Sequence, residues 1–226
     1  MTSRFKLLTP IVSSVLLLAA CSSSTEPQKS AEAERQPPAA SEPAATPPPV
    51  VEPPQEKAAN TFKVRFDTSK GPIVVEVHRD WAPIGAEQFH QLVSSGYFNG
   101  ARFFRVVPNF VIQFGLAANP ATTKKWDRMI EDDPVLQTNR VGSLSFATRG
   151  PNTRTAQIFI NLRSNQNLDG QGFAPFAIVL EGMEVVEQIH SGYGEAPDQE
   201  AITKSGNAYL TKNFPDLDYI RTATIQ

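Results

Sequence analysis

The chain has 226 residues, with 21 basic and 23 acidic side chains and a formal net charge of −2. This near balance excludes the basic field that nucleic-acid binding requires, so no nucleic-acid partner is expected. A single cysteine excludes an intramolecular disulfide framework, and three isolated histidines without ligand spacing argue against a metal site. We therefore expect no metal and no other cofactor.

Residues 1–20 are typical of a secretory signal peptide. Arg4 and Lys6 supply the positive start, and residues 7–18 supply an apolar core that polar residues interrupt. This core is too short to span a membrane, which takes about 20 apolar residues. The following Leu-Ala-Ala-Cys-Ser at residues 18–22 resembles a bacterial lipobox. The resemblance implies a lipid on Cys21 and an anchor in the outer membrane, facing the periplasm; the alternative is a free thiol beside an ordinary cleavage site.

Residues 21–60 are predicted to be a disordered tether. Residues 22–60 hold nine of the 19 prolines and contain no glycine or aromatic residue. Such a composition cannot bury enough apolar surface to fold. The runs of consecutive prolines favour polyproline II at about 3.1 Å per residue, which allows a reach of up to roughly 120 Å. The alternative is a ligand for a proline-recognising module.

Residues 61–226 are predicted to form one domain. All 13 glycines, both tryptophans and all four tyrosines lie in this part of the chain, which is long enough for one core. No feature of the sequence indicates an oligomer, so a monomer is expected.

The domain begins with alternating strands at residues 62–66 and 73–77, joined by turn residues into a hairpin. Pro83 then opens an amphipathic helix. An acidic run at residues 131–133 is interpreted as a solvated loop. Further strands are expected as a pair within residues 101–115 and singly at 143–147, 157–161, 173–180 and 219–225, with a second helix at 182–190 and a helical turn at 207–213. Many short strands and two main helices predict a closed, mainly antiparallel barrel capped at its ends.

Residues 101–115 have an unusual composition for a strand pair. Arg105 lies among phenylalanines and valines, although a guanidinium is costly to bury and stays charged. The pattern predicts two strands that line an apolar pocket, with one permanent hydrogen-bond donor aimed into it. The alternative for Arg105 is an ordinary surface ion pair.

Three motifs resemble the cyclophilin-type peptidyl-prolyl cis-trans isomerases. They are FFRVVPNFVIQ at residues 103–113, FATRGPNTRTAQIFI at 146–160 and LDG at 168–170, in the order and spacing of that family. The resemblance covers essentially all of residues 61–226. It implies an eight-stranded antiparallel barrel capped by two helices, and an enzyme that accelerates rotation about X-Pro bonds in exported proteins.

The resemblance also implies roles for individual residues. Arg105 would donate a hydrogen bond to the prolyl nitrogen and Gln113 would bind the substrate carbonyl. Thr148 would hold the peptide mainly through its backbone, and Gln157 would support the site. The proline pocket would comprise Phe110, Val111, Phe159 and Leu168, with Phe173 nearest to the position of the family's pocket histidine. For Phe159 and Leu168 ordinary core packing is an alternative, and for Gln113 a solvent-facing strand position.

The chain departs from the family at several positions near these motifs, among them Val111, which stands where many relatives have a methionine. Phe114 replaces a glycine, Leu116 an aspartate and Asn167 a tryptophan. These changes leave the proposed chemistry in place and bear on the residues preferred next to proline. Two rival functions remain open at this point: a non-catalytic module that binds proline-containing polypeptides, and a structural lipoprotein that binds envelope components.

Overall fold

The structure, a computed structural model, describes residues 60–226. The predicted signal peptide, the lipid site at Cys21 and all but the last residue of the tether lie outside these residues. Within residues 60–226, no helix is long and apolar enough to cross a membrane. The same residues contain no cluster of three or more histidine, cysteine or acidic side chains that could hold a metal ion.

Within residues 60–226 eight strands form one sheet, and each overlaps a segment predicted to be a strand. They are β1 (Thr61–Thr68), β2 (Pro72–His78), β3 (Arg105–Val107), β4 (Val111–Phe114), β5 (Ser143–Phe146), β6 (Ile158–Asn161), β7 (Pro175–Glu181) and β8 (Ile220–Ile225). Neighbouring strands pair in the order β3-β4-β6-β5-β7-β2-β1-β8, and every pair is antiparallel. The prediction of an eight-stranded antiparallel sheet is confirmed.

The sheet curls but does not close, so the prediction of a closed barrel is wrong. Among the described residues no ladder joins β3 to β8. Between these two edges the described residues form an isolated bridge, which joins Arg102 and Tyr219. Two backbone hydrogen bonds flank it: Phe103 N–H donates to the Asp218 carbonyl at 3.0 Å, and Ile220 N–H donates to the Ala101 carbonyl at 2.9 Å. The physical reason is the length of β3, which spans three residues and forms its ladder with β4 alone.

The described residues contain five α-helices, whereas two main helices and one helical turn were predicted. They are α1 (Pro83–Ser94), α2 (Pro120–Lys125), α3 (Met183–Glu187), α4 (Gln199–Ser205) and α5 (Asn207–Asn213), and a 3₁₀ helix spans Gln166–Gln171. The predictions correspond to α1, α3 and α5. Helices α2 and α4, six and seven residues long, were not predicted.

The main core lies between α1 and the sheet. Helix α1 buries Phe89 and Leu92 completely, and the Phe89 ring lies 5.0 Å from that of Phe176 on β7. Phe114, one of the departures from the family pattern, is 1% exposed and its ring lies 5.8 Å from that of Phe66. This side chain therefore belongs to the core.

The N-terminus of α1 is capped by a distant loop. Ala82 at its N-cap position has no side-chain hydrogen bond to offer, and the Asp133 carboxylate instead accepts bonds from the N–H groups of Ile84 at 2.9 Å and Gly85 at 2.8 Å. Arg154 pairs with the same carboxylate at 3.0 Å, and the two side chains are 3% and 0% exposed. The interpretation of the acidic run as a solvated loop is therefore wrong for Asp133.

A second, smaller core fixes residues 191–218, which lie between α3 and β8 and which we call the 191–218 segment. Ile202 of α4, Leu210 of α5 and Leu217 pack with Phe104 and Leu116. Because Phe104 and Leu116 flank the β3–β4 hairpin, this core holds the 191–218 segment beside that hairpin.

Candidate active site

A cleft of about 690 Å³ contains every predicted site residue that the structure describes. These residues come from β3, β4, β6 and the 3₁₀ helix and from the segments that adjoin β4, β5, β6 and the 3₁₀ helix. They are Arg105, Phe110, Val111, Gln113, Thr148, Gln157, Phe159, Leu168 and Phe173. The remaining predicted site residue, Cys21, lies outside the described residues. The structure thus brings together residues up to 68 positions apart in the chain, while their individual roles stay predictions.

A line of three polar side chains crosses the cleft wall. Arg105 and Gln113 are direct partners in the β3–β4 ladder, and Arg105 Nη1 donates to Gln113 Oε1 at 3.3 Å. Gln113 Nε2 in turn donates to Gln157 Oε1 at 2.8 Å. Gln113 is only 8% exposed, so the alternative of a solvent-facing strand residue is wrong.

Arg105 also makes the surface ion pair that was its alternative interpretation. Its Nε donates to Glu195 Oε1 at 2.6 Å, and its Nη2 lies 2.5 Å from the same oxygen. The Arg105 side chain is 23% exposed and that of Glu195 is 63% exposed. The guanidinium carbon lies 5.7 Å from the centre of the Phe110 ring. Arg105 therefore makes an ion pair and faces the cleft at the same time.

The apolar part of the cleft is a separate small cluster. Val111, Phe159 and Leu168 are buried against one another, with Phe110, Ala147 and Phe173 partly buried around them. The Phe159 and Phe173 rings meet edge to face at 5.5 Å. For Phe159 and Leu168, packing and pocket lining coincide, since both contribute to this cluster and to the cleft surface. A concave apolar surface with a few convergent polar groups is the usual form of a ligand site.

The side chain of Thr148 is engaged in its own turn. Its hydroxyl donates to the Gly150 carbonyl and lies 2.8 Å from the Thr153 hydroxyl. Gly150 adopts φ +142°, a conformation that favours glycine. The side chain of Thr148 is thus occupied within its turn, and its role in holding a peptide stays a prediction.

Several cleft residues were missed from the sequence. Tyr97, Trp126 and Met129 line the cleft, as do Gln199 and Thr203 of α4. Tyr97 Oη donates to the Gly115 carbonyl at 3.0 Å, and burial raises the pKa of Tyr97 to about 12. Of these residues, Trp126 alone could have been suspected from the sequence, because it is an aromatic residue in a long polar loop. Glu195, beside Arg105, lies in no motif.

The comparisons with known proteins agree with the predicted family. The family model for cyclophilin-type peptidyl-prolyl cis-trans isomerases matches residues 63–207. A peptidyl-prolyl cis-trans isomerase-like 1 protein of Rhizopus delemar is 37% identical over 149 residues, which are 63% of this chain and 88% of the relative. A peptidyl-prolyl cis-trans isomerase of Acinetobacter baylyi is 36% identical over 137 residues, 58% of this chain and 72% of the relative.

Solved structures show the same fold. A cyclophilin-type isomerase of Cryptosporidium parvum superposes with a TM-score of 0.56 at 24% identity, covering 74% of this chain and 98% of that protein. Another structure of the Cryptosporidium protein was solved in the presence of the dipeptide Ala-Pro. The cyclophilin AquaCyp293 of Hirschia baltica superposes with a TM-score of 0.54 at 16% identity, covering 72% and 73% of the two chains.

Proposed function

The chain belongs to the cyclophilin-type family of peptidyl-prolyl cis-trans isomerases, and on this premise we propose that its cleft binds proline-containing polypeptides and accelerates rotation about their X-Pro bonds. The observation that carries this proposal is the position of Arg105. Its guanidinium lies at one wall of an apolar pocket and contacts Gln113, which Gln157 holds in turn.

The chemistry requires a donor at the prolyl nitrogen. Amide resonance sets a rotation barrier of about 20 kcal/mol, and uncatalysed isomerisation takes tens of seconds or longer. Twisting the bond localises the nitrogen lone pair, so this nitrogen accepts a hydrogen bond better in the transition state than in the planar ground state. A donor from Arg105 therefore stabilises the transition state selectively, which lowers the barrier. No covalent bond is made or broken, so the reaction calls for no nucleophile and no acid–base pair.

The remaining cleft residues bind and orient the substrate. The apolar cluster around Phe159 receives the proline ring, whose burial supplies binding energy without a specific direction. Gln113 orients the substrate. One N–H of its Nε2 donates to Gln157 Oε1, and we assign the second N–H of that nitrogen to the substrate carbonyl. The ring and the carbonyl are then fixed on either side of the bond that rotates.

The test is catalysis by the wild-type full chain. We expect it to accelerate cis–trans exchange of an Ala-Pro peptide, measured by NMR exchange spectroscopy in detergent-containing buffer. Binding of the peptide without faster exchange would instead support a non-catalytic binding module. Absence of both binding and catalysis would contradict the proposed function.

We further propose that the enzyme is tethered to the cell envelope and acts there on exported proteins as a monomer. This proposal is supported by the sequence of residues 1–60: an apolar leader, a lipobox-like motif ending at Cys21 and a proline-rich spacer. A lipid on Cys21 would anchor the chain by burying its methylene groups, each worth about 0.8 kcal/mol.

The anchor is tested by Cys21→Ser, with Ser22→Ala as the matched control. We expect the first variant to lose the lipid mass and change its membrane fractionation, while isomerase activity persists. The control is expected to keep both lipid and location. Recovery of Cys21→Ser in the membrane with the mass of the wild-type protein would contradict the anchor.

A further inference from the structure

We propose that Glu195 is a positioning residue for Arg105, orienting the guanidinium so that its Nη1 edge faces the cleft. This inference rests on the proposed function and adds to it a residue outside the motifs that identify the family. Glu195 is not assigned any contact with the substrate.

The first support is the geometry of the pair. A guanidinium is flat and carries five N–H donors in a fixed fork. Glu195 Oε1 accepts from Nε at 2.6 Å and lies 2.5 Å from Nη2. Glu195 therefore covers the edge of the guanidinium formed by Nε and Nη2. Nη1, on the other side, points to Gln113 Oε1 at 3.3 Å. With both edges held, the plane of the guanidinium is fixed and Nη1 is the donor presented to the cleft.

The backbone places these two side chains together. The N–H of Val106, next to Arg105, donates to the carbonyl of Gly194, next to Glu195, at 3.1 Å. Gly194 adopts φ +52°, in the left-handed region, and Ala196 N–H donates back to the Tyr193 carbonyl at 2.9 Å. A tight turn thus holds Glu195 against β3. Because the backbone of this turn is bonded to β3, Glu195 stays close to Arg105. Two mobile surface side chains would not be held together in this way.

The turn belongs to the 191–218 segment, which also packs against residues that flank the β3–β4 hairpin. The core of that segment includes Phe104, the residue before Arg105, and Leu116, which lines the cleft. Asp198 accepts from Ala201 N–H at 2.7 Å and so caps α4 directly after the turn. Arg105 is therefore held from one side by β4 and from the other by the 191–218 segment.

The expected effect is modest and falls on kcat. Because Glu195 is largely exposed, water screens the pair and its loss is expected to reduce kcat by about threefold. KM is expected to stay unchanged, since Glu195 contributes no surface to the apolar cluster that receives the proline ring. Because a partly unfolded population would also lower the apparent kcat at unchanged KM, the folded fraction of each variant is measured by circular dichroism.

The test compares Glu195→Ala and Glu195→Gln with Glu200→Ala in the full chain. Glutamine keeps the side-chain length and an acceptor oxygen, so kcat is expected to fall in the order wild type, Glu195→Gln, Glu195→Ala. Glu200 lies five residues further on and pairs with Lys204 at 3.5 Å, with both side chains mostly exposed. Its variant is expected to match the wild type. The Nε–H proton resonance of Arg105, identified by its absence in Arg105→Ala, is expected to shift in both Glu195 variants and not in Glu200→Ala.

The outcomes separate this inference from the function on which it rests. An inactive wild-type chain would overturn the proposed isomerase function. An active wild-type chain with equal or higher kcat in Glu195→Ala would overturn the positioning role alone. A raised KM with unchanged kcat would likewise overturn it, because Glu195 would then act on binding.

Discussion

Arg105 and Gln113 lie directly opposite each other across the β3–β4 ladder, and Arg105 Nη1 donates to Gln113 Oε1 at 3.3 Å. This relationship ties the charged donor to the group assigned to the substrate carbonyl. Because Gln157 holds the far end of the Gln113 amide at 2.8 Å, both polar groups are set before a substrate arrives. Such preorganisation lets a donor act in the transition state without further rearrangement.

Removing the Gln113 amide should weaken catalysis. We expect Gln113→Leu to lower kcat/KM by about tenfold, the equivalent of one net hydrogen bond of about 1.4 kcal/mol. Gln91→Leu, on the exposed face of α1, is the control and is expected to match the wild type. Equal kcat/KM for Gln113→Leu and wild type would contradict the role given to this amide.

Truncating the partly exposed wall of the pocket should weaken binding. We expect Phe110→Ala to raise KM by about tenfold, because loss of roughly 1.4 kcal/mol of apolar contact with the proline ring corresponds to that factor. Phe62→Ala removes a ring that is similarly half-buried but packs against His90 instead of lining the cleft. An equal change in KM for the two variants would show that Phe110 does not contact the ring.

The raised pKa of Tyr97 predicts a pH-dependent stability. Burial raises this pKa from 10.0 to about 12. Below pH 10 the hydroxyl keeps its proton in both states; between pH 10 and 12 only the unfolded chain releases it, so the native state is progressively disfavoured. We expect the free energy of unfolding of the wild type, relative to Tyr97→Phe, to fall by about 1.4 kcal/mol per pH unit in this window. Denaturant titrations at several pH values measure the difference, and parallel curves would count against it.

The buried cap on α1 predicts a large loss of stability when it is removed. Asp133→Ala would remove one of the two carboxylates paired with buried Arg154, leaving Asp132 at 3.2 Å, and would leave two N–H groups of α1 without an acceptor. We expect the free energy of unfolding to drop by about 2 to 4 kcal/mol. Glu131→Ala, whose side chain is exposed in the same loop, is expected to change it by less than about 0.5 kcal/mol. Similar values for the two variants would refute this account of the loop.

The strands and the cleft were predictable because their signals are local. Alternation marks β1 and β2, and an arginine among phenylalanines marks the wall at Arg105 even before any family is considered. The motifs then placed Gln113, Gln157 and Phe159 in one site, and the structure brings these residues together.

The parts that were missed depend on contacts between distant residues. Closure of the barrel required a β3–β8 ladder, and nothing in the sequence of residues 105–107 limits β3 to three residues. Asp133 belongs to an acidic run whose composition is that of a solvated loop, and only its approach to Arg154 and α1 makes it buried. Glu195 is an exposed loop residue, and its contact with Arg105 depends on the packing of the 191–218 segment.

The most direct test of the account is the isomerisation rate of Arg105→Ala. The full chain, Arg105→Ala and Arg65→Ala are compared on one Ala-Pro peptide, with circular dichroism to verify folding; Arg65 is an exposed arginine on β1. We expect Arg105→Ala to lower kcat by about 10²- to 10³-fold, as for the loss of a preorganised transition-state donor, and Arg65→Ala to leave it unchanged. A folded Arg105→Ala variant that turns over as fast as the wild type would contradict the catalytic role of Arg105.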